Sequence, residues 1–200
     1  MSARPQFRCP TSMLPHARKV LAGEYAVQGA PTPAHVLDIG ANVGAFSVWA
    51  ARTWPHAVIH AYEPHPDNVV LLVANAAHAL VTPAAVFAQG RLVMHEGLSN
   101  CGEHSLWRGS EQSDRTREVD GVSPSFLPPA QFVKIDTEGA ELAILCGYRH
   151  LAGVQALALE THGARDARAI RAVLEFEGLA LVSEEQWRAD RSVQKWLRQS

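Results

Sequence analysis

The sequence has few cysteines and no long apolar run, and these two shortages exclude several classes of protein. Its three cysteines, Cys9, Cys101 and Cys146, are odd in number and scattered, so they suit neither a disulfide framework nor a metal site. This usage fits a reducing compartment and predicts a cytoplasmic protein. No apolar stretch is long enough to cross a bilayer, and the N-terminus lacks the apolar core of a signal peptide. We therefore expect no membrane partner.

The chain also lacks a strong charge of either sign. Its formal net charge is −2 over 200 residues, which argues against a general nucleic-acid surface. The length suits one domain, which we place at residues 31–200. Residues 1–30 are interrupted by proline and are predicted to form an arm or cap, which covers the sheet or closes over a ligand. A homodimer is compatible with this composition.

Two common nucleotide-binding motifs are absent from the glycine turn that follows the β-favouring residues 36–39. A dinucleotide fingerprint needs G-x-G-x-x-G, but Asn42 stands where its second glycine would be wanted. A phosphate-binding loop would end in Gly-Lys-Ser/Thr, and that ending is missing. The turn is therefore not predicted to bind a pyrophosphate or a triphosphate.

The segment does contain an acid, one residue, a glycine, three residues and a second glycine. Asp38, Gly40 and Gly44 hold these positions, between a predicted buried strand and a predicted helix. Glycine lets the backbone bend and lets a ligand lie close, and the helix N-terminal amides point at that ligand. Asp38 can accept a hydrogen bond from an ammonium group, directly or through water. A cofactor with an amino-acid end fits this pattern, and S-adenosyl-L-methionine is such a cofactor. The alternative is a strand, turn and helix without a ligand. The predicted contacts here are Asp38, Gly40, Ala41, Asn42, Gly44 and Phe46.

A second acid, Glu63, follows the next predicted strand at residues 57–62. A carboxylate at the end of this strand can accept hydrogen bonds from both hydroxyls of a ribose. We therefore predict that Glu63, with the following Pro64, contacts the nucleoside. The alternative is a surface carboxylate at a strand end.

The third strand is predicted at residues 91–96, after a poorly patterned link at residues 80–90. In this architecture the turn after the third strand borders the adenine, so Gly97 and Leu98 are candidate contacts. Residues 99–114 are polar and are predicted to form a loop or hairpin insertion on the ligand side.

Two side chains of that insertion, His104 and Trp107, either touch the substrate or anchor the loop by packing. Residues 119–122 are predicted to form a small extra strand or turn.

Charged residues interrupt the apolar strand predicted within residues 131–141. Lys134 and Asp136 lie on one face of it by the two-residue period of a strand. Because an unpaired buried charge is costly, Lys134 should contact a carboxylate, either Asp38 or Glu160. Asp136 and Glu138 then lie at the carboxyl edge of the sheet, where ligands of open α/β sheets bind.

The strand at residues 155–160 delivers Glu160 and His162 to the same edge. The unperturbed pKa of a histidine lies near neutrality, so His162 is a candidate general base, or else a merely hydrogen-bonded side chain.

A further strand is predicted at residues 179–182. Residues 193–197 form either a final antiparallel edge strand or part of a terminal helix.

Helices are predicted from apolar periodicity and from capping or breaking residues. They span residues 16–26, 45–53, 67–79 and 166–177, with one more that follows Gly139 and ends near residue 147.

No spacing in the chain demands a metal, so no metal ligand is predicted. A divalent ion held by Asp136, Glu138 and Glu160 is an alternative that these oxygen ligands allow.

Three segments together resemble one family: residues 36–44 (VLDIGANVG), 61–66 (AYEPHP) and 132–141 (FVKIDTEGAE). The chain is similar over residues 24–182 to FkbM-type S-adenosylmethionine-dependent methyltransferases. The third segment is the most specific, since the first two occur in many methyltransferases. Residues 98–103 and 160–162 also resemble the corresponding stretches of that family.

The resemblance implies an α/β fold with a mostly parallel, seven-stranded Rossmann-like sheet, helices on both faces and a reversed last strand. It implies methyl transfer, usually to an oxygen of a hydroxyl or carboxyl on a small molecule, sugar or peptide. Asp136, Glu138 and His162 are then the candidates to orient the acceptor or to accept its proton. The first thirty residues and the tail match nothing in the family pattern.

Two other classes of function stay open. An NAD-binding oxidoreductase is disfavoured by the missing middle glycine and by the absence of a Tyr-x-x-x-Lys pair. A non-catalytic module that binds a nucleoside would keep the same sheet and the same cofactor residues.

Overall fold

The computed structural model describes residues 7–97, 103–106 and 112–199. The helices in this part of the chain are α1 (Leu14–Leu21), α2 (Ala45–Thr53), α3 (Pro66–Asn75), α4 (Glu141–Gly147) and α5 (Ala164–Phe176). The strands are β1 (His35–Ile39), β2 (Val58–Tyr62), β3 (Leu80–Thr82), β4 (Ala85–Val86), β5 (Gly90–Gly97), β6 (Gln112–Val122), β7 (Phe132–Ile135), β8 (Ala156–His162), β9 (Leu179–Arg188) and β10 (Arg191–Arg198). Short 3-10 turns lie at Thr11–Met13, Pro124–Phe126 and Leu151–Gly153.

Seven of these strands form one sheet in the order β3-β2-β1-β7-β8-β10-β9. The first five are parallel to their neighbours, and β10 is antiparallel to both strands beside it. This confirms the Rossmann-like fold with a reversed last strand. The strand order reverses between β1 and β7, where open α/β sheets bind their ligands.

The sheet is buried on both faces, and the alternation of its side chains sorts them into two cores. Leu37 and Ile135 belong to the core that includes side chains of α4 and α5. Val36 and Phe132 belong to the other core, with side chains of α1 and α2. Lys134 shares the face of Phe132 by the same two-residue period, and it stands directly opposite Asp38 in the neighbouring strand.

The last strand lies inside the sheet, between β8 and β9. The alternative of a terminal helix is therefore wrong, and the antiparallel strand forms as the other alternative predicted. Its expected edge position is wrong, because β9 extends to Arg188 and pairs with its outer side. Trp196 is fully buried in this arrangement, which an edge strand could not have provided.

A second, three-stranded sheet has the order β4-β6-β5. The strand predicted at residues 91–96 does form, but as β5 of this smaller sheet. The third strand of the main sheet is β3, within the link described as poorly patterned, and it pairs with β2. The small strand predicted at residues 119–122 is the end of the longer β6, because pairing with β5 extends it.

The helix predictions hold best where glycine and proline delimit them. The predicted bounds of α2 agree with the structure, between Gly44 and Pro55. Helix α1 begins and ends earlier than predicted, because Pro15 occupies its first turn and Gly23, with φ of +100°, turns the chain after it. Helix α3 stops at Asn75, before the predicted end at residue 79. None of the helices in the described residues is long and apolar enough to span a membrane.

Candidate functional site

The turn between β1 and α2 needs glycine at two positions. Gly40 has φ of +75°, and a Cβ there would collide with the carbonyl oxygen of Asp136. Gly44 has φ of +88°, and a Cβ there would lie 2.8 Å from Cδ1 of Leu72. Asn42, between them, has φ of 49°, and its Oδ1 is buried without a hydrogen-bond partner among the described residues. The turn therefore combines a closely packed backbone with a polar atom that a ligand could satisfy.

Asp38 lies beneath this turn and is fully buried. The Ser47 hydroxyl donates to Oδ2 at 2.7 Å, and Nζ of Lys134 lies 3.4 Å from Oδ1. The same Nζ donates to the carbonyl oxygen of Gly40 at 2.6 Å. Of the two predicted carboxylate partners of Lys134, Asp38 rather than Glu160 is confirmed. Because both oxygens of Asp38 face protein groups, the structure places this residue as a support of the turn, and its contact with an ammonium group stays a prediction.

Glu63 follows β2 and is 5% exposed. Its Oε2 accepts a hydrogen bond from the backbone N–H of Asn42 at 2.9 Å. Its Oε1 accepts from the N–H of His65 at 2.9 Å and from Nδ2 of Asn68 at 3.3 Å. Burial raises the pKa of Glu63, although these hydrogen bonds and Lys134 oppose the rise. The carboxylate is thus held in one orientation beside the glycine turn.

A cavity opens beside this carboxylate, and we call it the Glu63 cavity. Its volume is about 60 Å³, smaller than the usual ligand pocket of about 300–1,000 Å³. Its lining includes Gly40, Asn42, Tyr62, Glu63, Pro64, Val86, Met94, His104, Leu106 and Asp136. Apolar walls with a few polar groups suit a nucleoside. Ala41 and Phe46 lie on the other side of the turn, where Phe46 packs edge-on against Tyr25.

The adenine contacts at Gly97 and Leu98 were predicted from a strand that lies in the smaller sheet, and they stay a prediction. Gly97 ends β5 in the small sheet, and its N–H donates to Nδ1 of His104 at 2.9 Å. Leu98 and Trp107 lie outside the described residues. His104 instead stacks on His65, with ring centroids 4.1 Å apart, and lines the Glu63 cavity. Of the two side chains singled out in the insertion, His104 lies at the site.

His104 is neutral near pH 7, since burial lowers its pKa to about 4, with His65 adding to the effect. The folded state therefore binds the proton less well than the unfolded chain, whose histidine titrates near pH 6.5. By linkage, the stability that comes from neutral His104 is present above about pH 6.5 and is lost as the pH falls toward 4.

We expect the free energy of unfolding of the wild type to fall more steeply between pH 7 and pH 4.5 than that of His104→Gln. Urea unfolding followed by circular dichroism at several pH values measures both slopes. His150→Gln, at an exposed histidine, is the matched control and should keep the wild-type slope. Equal slopes for His104→Gln and the wild type would contradict the prediction.

Beyond the glycine turn, four acids and one histidine converge at the ends of β7 and β8. Nε2 of His162 lies 3.3 Å from Oε2 of Glu138 and 3.2 Å from Oε1 of Glu160. Its Nδ1 lies 3.1 Å from Oε1 of Glu141. The fourth acid, Asp136, follows β7 and borders the same cavity as Glu138 and Glu160. We call this cavity, of about 230 Å³, the acidic cavity.

Asp136 contacts the N-terminal segment. The Tyr25 hydroxyl donates to its Oδ2 at 3.1 Å, and Nζ of Lys134 lies 3.9 Å from the same oxygen. Burial alone would raise the pKa of Asp136, but Lys134 and His162 outweigh it, so the pKa is lowered. Asp136 is therefore an ionised group of the site and a weak base.

The arrangement around His162 weighs against the role of general base, which stays a prediction. Burial alone would lower its pKa, but the contacts with Glu138, Glu141 and Glu160 outweigh burial and raise the pKa far above its ordinary value. The raised pKa favours the protonated imidazole at neutral pH, which is a poor base. The pattern of the sequence did not reveal this, because Glu138 and Glu141 come from the segment at residues 132–141 and meet β8 only in the fold.

Two further residues complete the site without having been predicted in it: Tyr25 and Arg191. Glu160 lies at the predicted edge of the sheet, and its pKa is raised to about 7 by burial and by Asp136. Nη1 of Arg191, on β10, lies 3.3 Å from Oε2 of Glu138. Tyr25 and Arg191 sit outside the motifs, and only the fold brings them to this edge.

Comparison with known proteins decides the family. The profile of the methyltransferase FkbM domain matches residues 38–181, which is most of the chain. This protein belongs to the FkbM methyltransferase family. The match includes Asp38, Glu63, Asp136 and His162, and it leaves out Tyr25 and Arg191 on either side. Membership of a methyltransferase family implies the use of S-adenosylmethionine.

Relatives and solved structures agree with this placement. The methyltransferase sdnD of Sordaria araneosa is 27% identical, with 83% of this chain and 82% of that protein covered. A precorrin-6y C5,15-methyltransferase from Geobacter metallireducens has a TM-score of 0.56 at 15% identity, over 96% of this chain and 93% of its own. A putative RNA methyltransferase from Pyrococcus horikoshii has a TM-score of 0.54 at 13% identity, over 98% and 93%. At such identities the structures support the FkbM protein's fold and nothing finer.

Proposed function

We propose that this FkbM-family protein transfers a methyl group from S-adenosylmethionine to an oxygen, either a hydroxyl or a carboxyl, of a small molecule, sugar or peptide. One observation carries the proposal. The Glu63 cavity and the acidic cavity share Asn42, Asp136 and Glu138 in their walls. A nucleoside in the first cavity and an acceptor in the second would therefore meet at these three residues.

The residues of the Glu63 cavity fit the cofactor. Glu63 is fixed in orientation, and three protein donors leave about one of its four lone-pair sites, on Oε2, open to a ribose hydroxyl. Gly40 lets the turn pack directly against the backbone of Asp136, and the unpaired Oδ1 of Asn42 offers an acceptor beside it. His104, with Nδ1 occupied by the N–H of Gly97, would present Nε2 as a donor to an adenine nitrogen.

When bound, S-adenosylmethionine supplies an activated methyl group. The chain must then hold the acceptor oxygen in line at near-attack distance. Glu138 is the best placed residue for this, because it borders both cavities and its backbone is held in the left-handed region, with φ of 56°. We propose that Glu138 orients the acceptor and takes its proton, with Asp136 beside it.

Glu138→Gln should keep the affinity for S-adenosylhomocysteine within about 3-fold and lower acceptor-dependent turnover by about 100-fold, the lower end of the range for a lost acid–base group. Isothermal titration gives the affinity. Release of S-adenosylhomocysteine, with an acceptor found by screening hydroxyl and carboxyl compounds, gives the turnover. Glu175→Gln on the exposed face of α5 makes the same change of charge and should alter neither quantity.

The titration also tests the function as a whole, with NAD as the control ligand. Micromolar binding of S-adenosylhomocysteine without binding of NAD supports the proposal. No binding by folded wild-type protein would overturn it. Binding without methyl transfer to any hydroxyl or carboxyl acceptor would favour the non-catalytic nucleoside-binding module instead.

A further inference from the structure

Three side chains at the ends of β7 and β8 have the composition of a metal site. The carboxylates of Asp136 and Glu160 and the ring of His162 each offer one atom, and these atoms lie within 4.8 Å of one another. Two ligands at about 2.1 Å from an ion lie up to about 4.2 Å apart, so the trio would need to close by less than about 1 Å. The side chains of Glu160 and His162 are each 8% exposed.

The two nitrogens of His162 differ in a way that points to a ligand. Nδ1 is hydrogen-bonded to Oε1 of Glu141, which is itself fixed by the N–H groups of Thr137 and Gly139. Nε2 is buried and has no hydrogen-bond partner among the described residues, although it faces the oxygens of Glu138 and Glu160. Metal-binding histidines usually donate their second ring N–H to a carboxylate in this manner. The proton on Nε2 would leave as the ion binds there, since metal binding releases protons from histidine.

We propose that Asp136, Glu160 and His162 bind one divalent first-row cation, with Glu141 orienting the histidine. A set of two carboxylates and an imidazole suits ions such as Mn²⁺ and Zn²⁺. The ligand set differs from the alternative weighed on the sequence, because His162 takes the place that Glu138 held there. Glu138 stays outside the set, where Arg191 lies 3.3 Å from its carboxylate.

The position of this site gives the ion a role, and that role rests on the proposed function. Asp136 and Glu160 line the acidic cavity, on the side where the acceptor would bind. An ion held there would coordinate the acceptor oxygen and make its proton easier to lose. Glu138 lies next to these three residues and is not a ligand of the ion, so it would then accept that proton.

The test is a titration of chelator-treated wild-type protein with MnCl₂, with free Mn²⁺ followed by electron paramagnetic resonance. We expect one Mn²⁺ per chain, displaced by Zn²⁺. Glu160→Gln and His162→Gln should weaken binding by at least about 10-fold, and Glu141→Gln by about 10- to 100-fold, the range for a residue that orients a ligand. Glu175→Gln should bind as the wild type does.

Circular dichroism checks that each variant is folded, and a rise in the wild-type thermal midpoint with Mn²⁺ gives a readout that needs no variant. No binding of Mn²⁺ or Zn²⁺ by the wild type at 1 mM (roughly the weakest affinity still counted as binding) overturns the proposal. So does binding that persists in folded Glu160→Gln.

Titration with S-adenosylhomocysteine on the same sample separates the metal proposal from the proposed function. Nucleoside binding without metal binding overturns the metal proposal alone, and metal binding without nucleoside binding overturns the proposed function alone.

Discussion

Replacing Lys134 by methionine is expected to lower the free energy of unfolding by about 3–5 kcal/mol, the usual cost of removing one partner from a buried ion pair. Lys134 is the cation beside two carboxylates, at 3.4 Å from Asp38 and 3.9 Å from Asp136. Methionine fills a similar volume but leaves Asp38 buried without its counter-charge. The carbonyl oxygen of Gly40 also loses its hydrogen-bond donor. Urea unfolding at pH 7, followed by circular dichroism, measures the loss.

Two further variants show whether charge is the cause. Lys19→Met makes the same chemical change at an exposed position of α1 and should stay within about 0.5 kcal/mol of the wild type. Adding Asp38→Asn to Lys134→Met removes the uncompensated charge and should recover part of the stability. The explanation is wrong if the free energy of unfolding of Lys134→Met lies within about 1 kcal/mol of the wild type, since an average substitution costs about that much.

The second large effect concerns binding: Glu63→Ala should weaken the affinity for S-adenosylhomocysteine by about 10- to 100-fold. The proposed contact is a hydrogen bond from a ribose hydroxyl to a charged group, and such a bond contributes about 1.5–3 kcal/mol. This free energy corresponds to about 10- to 100-fold in affinity. The substitution also removes the acceptor for the N–H of Asn42, which loosens the glycine turn.

Glu63→Gln separates these two causes, because glutamine keeps the shape and one acceptor oxygen while it loses the charge. We expect an intermediate loss of affinity for Glu63→Gln, and unchanged affinity for the exposed control Glu175→Gln. Isothermal titration measures all three proteins, after thermal unfolding has shown them to be folded. Wild-type affinity in both Glu63 variants would remove this residue from the nucleoside site.

Local signals predicted the segment from β1 to α2 well. Gly40, Gly44 and Pro55 delimit a turn and a helix whatever the rest of the chain does, and α2 accordingly has its predicted bounds. A local rule, that a charge in a buried strand needs a partner on a neighbouring strand, limited the partner of Lys134 to Asp38 or Glu160, and the structure has Asp38.

The sequence was less informative where distant segments decide the structure. Strand β3 has three residues, too few for a periodic pattern, and only its pairing with β2 makes it part of the main sheet. The hydrogen bond from Tyr25 to Asp136 spans 111 positions of sequence. The charge of His162 depends on Glu138 and Glu141, more than twenty positions earlier in the chain, as well as on Glu160 beside it, so its chemistry could not be predicted from its position at a strand end.

The pairing of β1 with β7 has a consequence for the folding of the chain. These central strands are parallel and join Val36 to Phe132, so a loop of nearly a hundred residues must close before they meet. Such distant contacts make folding slow. Strand β7 is apolar except for Lys134, and a shift of one residue would turn that ammonium group into the opposite, wholly apolar core. The ion pair with Asp38 therefore selects the register in which the two halves of the protein join.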